Sequence, residues 1–302
     1  MPKTILITGA TGLIGNNIVD AILRRGDEYI ALTHNIGSAK KKLKGAKRIV
    51  SLKDYLSIKD EKIDAVINLA GMSIGEKRWN EKVKKEIYDS RIETTRKITE
   101  LISQMPAKPE VLVSASGVDY YGDRGAEDVY EDAPNADTFM GNLCRDWESE
   151  ASKAEQYGVR VVRTRTGFVL AKNSEAVKRL TLPYRLFIGG PIGSGKQYMP
   201  WIHIDDLVGI YLYAIDNQNV KGAINATAPN PETMKEFGKN LAKVLHRPSF
   251  FPVPQFAVKI AVGEMAQVVL TGRRALPKKI MDLGYKFNFT HSIDAWSDVF
   301  NK

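Results

Sequence analysis

Cysteine is almost missing from this chain: Cys144 is the only one in 302 residues. A single thiol excludes an intramolecular disulfide, and without further Cys or spaced His there is no ligand set for a structural zinc, so no metal site is expected. Long apolar runs are missing too, and none approaches the roughly 18 residues that a membrane span requires. The opening MPKTILITGATG enters a strand pattern at once, without the charged and apolar regions of a signal peptide. The expectation is a reducing, cytoplasmic setting with no membrane. Acidic residues are the scarcer charge, 35 against 44 Lys and Arg, which leaves a net +9. Such a surplus draws nucleic acid, anionic lipid or phosphorylated ligands. With no aromatic-and-basic stripe and no nucleic-acid module beside it, it reads as solvated surface, and no nucleic-acid partner is expected.

What is present is an alternation. TILIT (4–8), YIALT (29–33), DAVINLA (64–70), EVLVSAS (110–116) and VRVVRT (159–164) have strand length, and helical patterns fall between them at 12–25, at 79–103 and around FMGNLCRDWE (139–148). Apolar strands separated by helices predict an α/β protein with a parallel sheet covered on both faces. After Thr166 the loops lengthen and Gly and Pro rise, as in LFIGGPIGSGK and FFPVPQ. Residues 1–166 are therefore read as a nucleotide-binding domain with later segments interleaved, and 167–302 as a smaller, mostly helical substrate lobe. The segment 254–270, apolar on several faces, fits either packing into that lobe or a subunit interface, which leaves a homodimer open.

The first strand runs into TGATGLIG, with Gly9, Gly12 and Gly15 spaced as GxxGxxG. The first Gly permits the tight turn, the second lets backbone approach a pyrophosphate, and the third lets helix and strand close up. Thr11, Leu13 and Ile14 complete the turn, and the helix start offers free N–H groups to phosphates. This strand–turn–helix is the mark of a Rossmann-type, doubly wound fold. An NAD-user carries an acid at the end of the second strand to hold the ribose 2′-hydroxyl. Here Thr33, His34 and Asn35 stand there, Glu28 is at the wrong end, and Lys40, Lys41 and Lys42 follow. That set suits a 2′-phosphate, and the expected cofactor is NADP(H). Two other patterns are decoys. GGPIGSGKQ (189–197) nearly matches a phosphate loop, but Gln197 replaces the hydroxyl and no helix follows. YLSIK (55–59) matches YxxxK on the wrong side of the sheet, and both are read as structural.

With TGATGLIG, NLAG (68–71), VSASGVDYYG (113–122) and WIHIDDL (201–207) in that order, the chain resembles the short-chain dehydrogenase/reductase superfamily, near its extended, sugar-nucleotide-epimerase-like members. RWNEKVKKEIYDSRIETT, GGPIGSGKQYMPWIHIDDL, NATAPNP and GRRALPKKIMDLGYKF are similar to an atypical epimerase-like branch with its own C-terminal domain, sometimes labelled a cell-division inhibitor. The resemblance implies that Asn68, Leu69, Ala70 and Gly71 pass the adenosine portion, that Glu86 and Arg91 on the long helix serve the cofactor, and that Gly167, Phe168 and Val169 pass the nicotinamide.

It also implies a catalytic set, of which Ser116 matches the substrate-binding Ser. The Tyr and Lys belong four residues apart on the following helix, with an acid four further on. Glu148 fits that acid, which puts Cys144 at the Lys and Met140 at the Tyr. Neither substitutes: a thioether has no proton to give, and a neutral thiol lends no positive charge to a tyrosinate. Tyr120 or Tyr121 remains, with an ordinary pKa near 10. No His lies near Cys144, so the thiol is read as inert. Asp205 is expected to cap the helix after it, with Trp201 and His203 at the edge between lobes. The implied function is an NADP(H)-dependent oxidoreductase or epimerase-like enzyme on a small-molecule substrate, assisted by Ser116 and one of the two tyrosines. The alternative is an NADP(H)-binding regulatory or scaffold protein that has lost catalysis.

Overall fold

A computed structural model describes residues 2–301. Seven strands form one parallel sheet: β1 (Thr4–Thr8), β2 (Glu28–Thr33), β3 (Arg48–Ser51), β4 (Ala65–Asn68), β5 (Val111–Gly117), β6 (Arg160–Thr166) and β7 (Gly222–Ala226), in the spatial order β3-β2-β1-β4-β5-β6-β7. The order reverses between β1 and β4, the place where doubly wound folds open a ligand crevice. Alternation within each strand makes two cores. Ile5, Ile7, Ile67 and Val113 face one side, while Leu6, Val66 and Leu112 face the other. The first face is covered by α1 (Leu13–Arg24) and the second by a long helix running Glu81–Gln104.

The short β3 and the helix α2 (Ile36–Lys42) were not expected from sequence. β3 is an edge strand of four residues with only Val50 buried, too little apolar surface to declare itself between lysines. The long helix, α3 (Glu81–Gln104), starts where the Asn80 side chain accepts from the Val83 N–H. The helix containing Cys144, α4 (Phe139–Ser152), starts where Thr138 accepts from Gly141.

Beyond β6 the chain builds the second lobe and then comes back. α5 (Glu175–Arg185) leaves the sheet, but α6 (Ile204–Asp216) lies on the Ile5 face beside α1, and β7 closes the sheet against β6. Residues 204–226 thus lie with the sheet, and Ile280, Leu283, Tyr285 and Phe287 pack against the same core. The cap of α6 corrects the expectation for Asp205: the His203 ring nitrogen Nδ1 accepts from the Asp205 N–H, and Asp205 sits in the first turn. Asp206 reaches elsewhere and accepts from the Asn288 and Phe289 N–H groups. The lobe has its own core, with Trp201, Phe237, Leu241 and Trp296 drawn from the strand Trp201–His203, from α7 (Met234–Leu245) and from the last helix, Ser292–Asn301.

Both decoys are structural. Residues 193–195 turn through two glycines with positive φ, and Gln197 ties back to the Ile192 carbonyl at 2.9 Å, without a following helix. Tyr55 lies in a single 3₁₀ turn beneath Lys97.

Candidate active site

A cleft of about 550 Å³ opens over the C-terminal ends of β1, β4, β5 and β6. Its floor is fixed by a buried polar network. Thr8 donates to Asn68 Oδ1 at 2.7 Å, Asn68 Nδ2 donates to Thr95 and Ser114 at 2.8 and 3.2 Å, and the Leu69 and Ala70 N–H groups both donate to Thr8 Oγ1 at 3.1 Å. Trp147 Nε1 adds a bond to Thr95 at 2.9 Å. Asn68 is therefore consumed in the core, and the expectation that it would pass the adenosine is corrected: Leu69 and Gly71 are the wall. Such satisfied networks hold strand ends in one register.

The glycine turn has the expected form. Gly9 takes φ +71°, and a Cβ there would stand 2.9 Å from the Leu69 carbonyl carbon, so β4 approaches where only Gly fits. A Cβ on Gly15 would meet the Gly9 carbonyl oxygen at 2.2 Å. Gly12 is the N-cap of α1 and brings no side-chain cap, which leaves the first-turn N–H groups without a side-chain partner at the cleft. Leu13, Ile14 and Val169 line the same space. Arg91 also lines it, stacked 5.2 Å from the Trp147 ring and donating to the Ile87 carbonyl, and a Cβ on Gly71 would come within 3.0 Å of its Cζ. Burial pulls the Arg91 pKa down.

Several expected residues lie outside the cleft wall. Register pairs Thr8 with Leu32, so Thr33 and the exposed His34 follow beside the glycine turn, and the Thr33 hydroxyl accepts from the Asn35 N–H. Thr11 and Ala70 flank the turn and the β4 end without lining the cleft. Glu86, on the same helix as Arg91, pairs with Lys77 at 3.1 Å and is not among the residues that line the cleft.

The catalytic set is rearranged more deeply. Ser116 lines the cleft, but its hydroxyl donates to Glu148 Oε1 at 2.7 Å. Glu148 in turn holds both ends of the Arg165 guanidinium, at 2.8 and 2.9 Å, with each side chain only 4% exposed. Tyr121 is fully buried behind this pair, accepting from Arg165 at 2.8 Å and donating to Asn225 at 2.6 Å. Burial pushes its hydroxyl up to about 12 against the pull of Arg165. Tyr120 lies flat against the same guanidinium, 3.5 Å from ring centre to Cζ. Neither tyrosine is among the residues that line the cleft, and both brace Arg165. Met140 and Cys144 do line it, and burial pushes the Cys144 thiol up to about 12.

The sequence reading overlooked the pair that faces the cleft instead. Asp119 is the one carboxylate among the described lining residues, and Arg273, brought by the C-terminal segment, pairs with it while also donating to Thr271 at 3.0 Å. Asp119 stands inside VSASGVDYYG, three residues past Ser116, and was hidden by attention to the tyrosines beside it. Around this pair the wall is apolar, with Met72, Ile74, Met140, Met199 and Val268.

Over residues 5–226 the chain matches the model of the NAD dependent epimerase/dehydratase family, and over 253–299 that of a domain of unknown function, DUF1731. It is 40% identical to the epimerase family protein SDR39U1 homolog, chloroplastic, of Arabidopsis thaliana, an alignment covering 97% of this chain and 85% of that one. It is 37% identical to the epimerase family protein YfhF of Bacillus subtilis, covering 95% and 94%. Among solved structures, human epimerase family protein SDR39U1 (isoform 2) with NADPH superposes with a TM-score of 0.90 at 32% identity over 99% of both chains. A UDP-galactose 4-epimerase, at 18% identity and TM-score 0.74, shares the fold.

Proposed function

The chain belongs to the NAD dependent epimerase/dehydratase family, and we propose that it is an NADP(H)-dependent oxidoreductase whose substrate is small and largely apolar, with one polar group placed against Asp119 and Arg273. The observation that carries this reading is the single cleft joining the uncapped start of α1 to that ion pair. The glycine turn fits a dinucleotide by the cradle just described, and the related human protein holds NADPH. His34 and the lysines at the end of α2 suit a 2′-phosphate, with no carboxylate at the β2 end to favour a free ribose hydroxyl.

NADP(H), when bound, supplies or takes up the hydride. The chain's own part is positioning and proton handling. Leu69, Gly71 and Val169 would exclude water along the cofactor path, and the first-turn N–H groups of α1 would hold the pyrophosphate. Because the Ser116 proton is committed to Glu148, Ser116 offers the cleft a lone pair, which suits a substrate hydroxyl as donor. Asp119, paired with Arg273 at the cleft, is the group that would take the proton that leaves such a hydroxyl.

Titration is expected to show NADPH binding tighter than NADH. With a metabolite extract and NADP⁺, stopped-flow reduction is expected for the wild type and to fall at least about a hundredfold in Asp119→Asn, the usual reach of general acid–base catalysis, while NADPH affinity stays. Equal affinity for NADH would sink the cofactor reading. Absence of turnover with every fraction would favour the second reading, an NADP(H)-binding regulatory protein, which draws on Met140 and Cys144 standing where Tyr and Lys belong.

A further inference from the structure

Eight of the exposed large apolar side chains fall in two short stretches, Leu182, Leu186, Phe187 and Ile188 at the end of α5, and Phe250, Phe251, Phe256 and Ile260 before and within the helix Gln255–Val262. Phe250, Phe256 and Ile260 are 79, 66 and 69% exposed. The two stretches are stitched side by side: the Phe251 N–H donates to the Gly189 carbonyl at 3.2 Å, Val253 to Pro191 at 2.9 Å, and Gly193 to Val253 at 2.9 Å. They therefore form one surface rather than scattered residues, and a contiguous apolar surface of this kind marks an interaction site. Phe187 is especially telling, because it takes φ +64° at the end of α5, where Gly costs least. A large ring is kept outward at a position whose backbone disfavours it.

Charge selects the occupant. In a chain with 35 acidic residues, segments 176–204 and 237–263 contain none. They carry Lys178, Arg179, Arg185 and Lys196 in the first, and Lys239, Lys243, Arg247 and Lys259 in the second. Arg185, Arg247 and Lys259 are exposed within the patch itself, and the Arg247 guanidinium lies 4.5 Å from the centre of the Phe187 ring. Lys178 is paired with Glu175, but a second copy across a two-fold axis would still set Arg185, Arg247 and Lys259 against themselves. Outward Phe and Ile ringed by Lys and Arg is instead the composition that enters the headgroup boundary of an anionic membrane. We propose that this face docks the protein on an anionic lipid bilayer, as a peripheral contact, since no helix among the described residues is long and apolar enough to cross one. The contact revises the expectation of no membrane in this one respect.

The test is co-sedimentation of the full-length protein with vesicles of phosphatidylcholine alone or with about 30% phosphatidylglycerol, beside sedimentation velocity without lipid. Strong binding is expected only with the anionic lipid, weakening about tenfold or more on raising salt from 0.05 to about 0.5 M. The variants Phe250→Ser/Phe256→Ser/Ile260→Ser and Arg185→Glu/Arg247→Glu/Lys259→Glu should each lose at least about tenfold in apparent affinity, with NADPH binding kept as the sign of an intact fold. Equal binding to neutral vesicles, no binding, or retention of binding by both variants overturns the proposal. A concentration-dependent dimer abolished by the first variant, without vesicle binding, would assign the face to a second copy instead.

Discussion

Cys144 shows how a residue can line a cleft and be chemically silent. Its sulfur packs near Gly117 at the cleft, in a setting where burial comes first among the causes that raise its pKa to about 12. Only the thiolate attacks an alkylating agent, so a raised pKa removes reactivity below it. At pH 8.5 an ordinary thiol is about half ionised, while Cys144 is expected to resist iodoacetamide in the folded protein and to react fully once urea unfolds it, as read by intact mass. Rapid alkylation of the native protein at that pH would contradict the burial that keeps this thiol neutral. That Met140 and Cys144 take the expected Tyr and Lys positions is what the family resemblance implies, with Glu148 setting the helix phase. That Asp119 faces the cleft was not, since its partner Arg273 lies 154 residues away in sequence.

Among elements, the unit of interest is β6 against α4. Register places Ser116 of β5 directly beside Arg165 of β6, and α4 lowers Glu148 between them. The expected strand stopped at Thr164, short of Arg165, because alternating Arg and Thr dilute the apolar signal by which strand ends are read. The burial that makes Arg165 indispensable is a tertiary fact. Arg165→Met would strand the Glu148 carboxylate in the core and is expected to cost about 3–5 kcal/mol in urea unfolding. Tyr121→Phe removes one neutral hydroxyl from the same network and should cost about 1–3 kcal/mol. Because Tyr121 does not reach the cleft, that second variant is expected to leave cofactor affinity and turnover within about twofold, unlike a proton donor, whose loss costs a hundredfold or more.

At the scale of the molecule, the two lobes read differently from sequence. The sheet domain announces itself through alternation and the glycine turn, both local signals. The second lobe is held by residues distant in sequence, with Trp296 of the last helix meeting Phe237 of α7 at 5.1 Å. Trp296→Ala is expected to lower stability by about 3–5 kcal/mol, read as an earlier loss of near-ultraviolet dichroism on urea titration. A change under about 1 kcal/mol would mean that the lobe is held elsewhere.

The return of α6 and β7 to the sheet sets an order on the protein's birth. Ile5, Ile7, Ile67 and Val113 receive α1 early, yet Leu207, Ile210 and Tyr211, which complete the cover, follow roughly a hundred residues after Val113. At about 5–20 residues per second, a nascent chain waits about 5–20 s with that face of its sheet covered by α1 alone. The second half of the message therefore finishes a core that the first half begins, and a ribosome stalled before residue 204 would present a chaperone substrate rather than a finished domain.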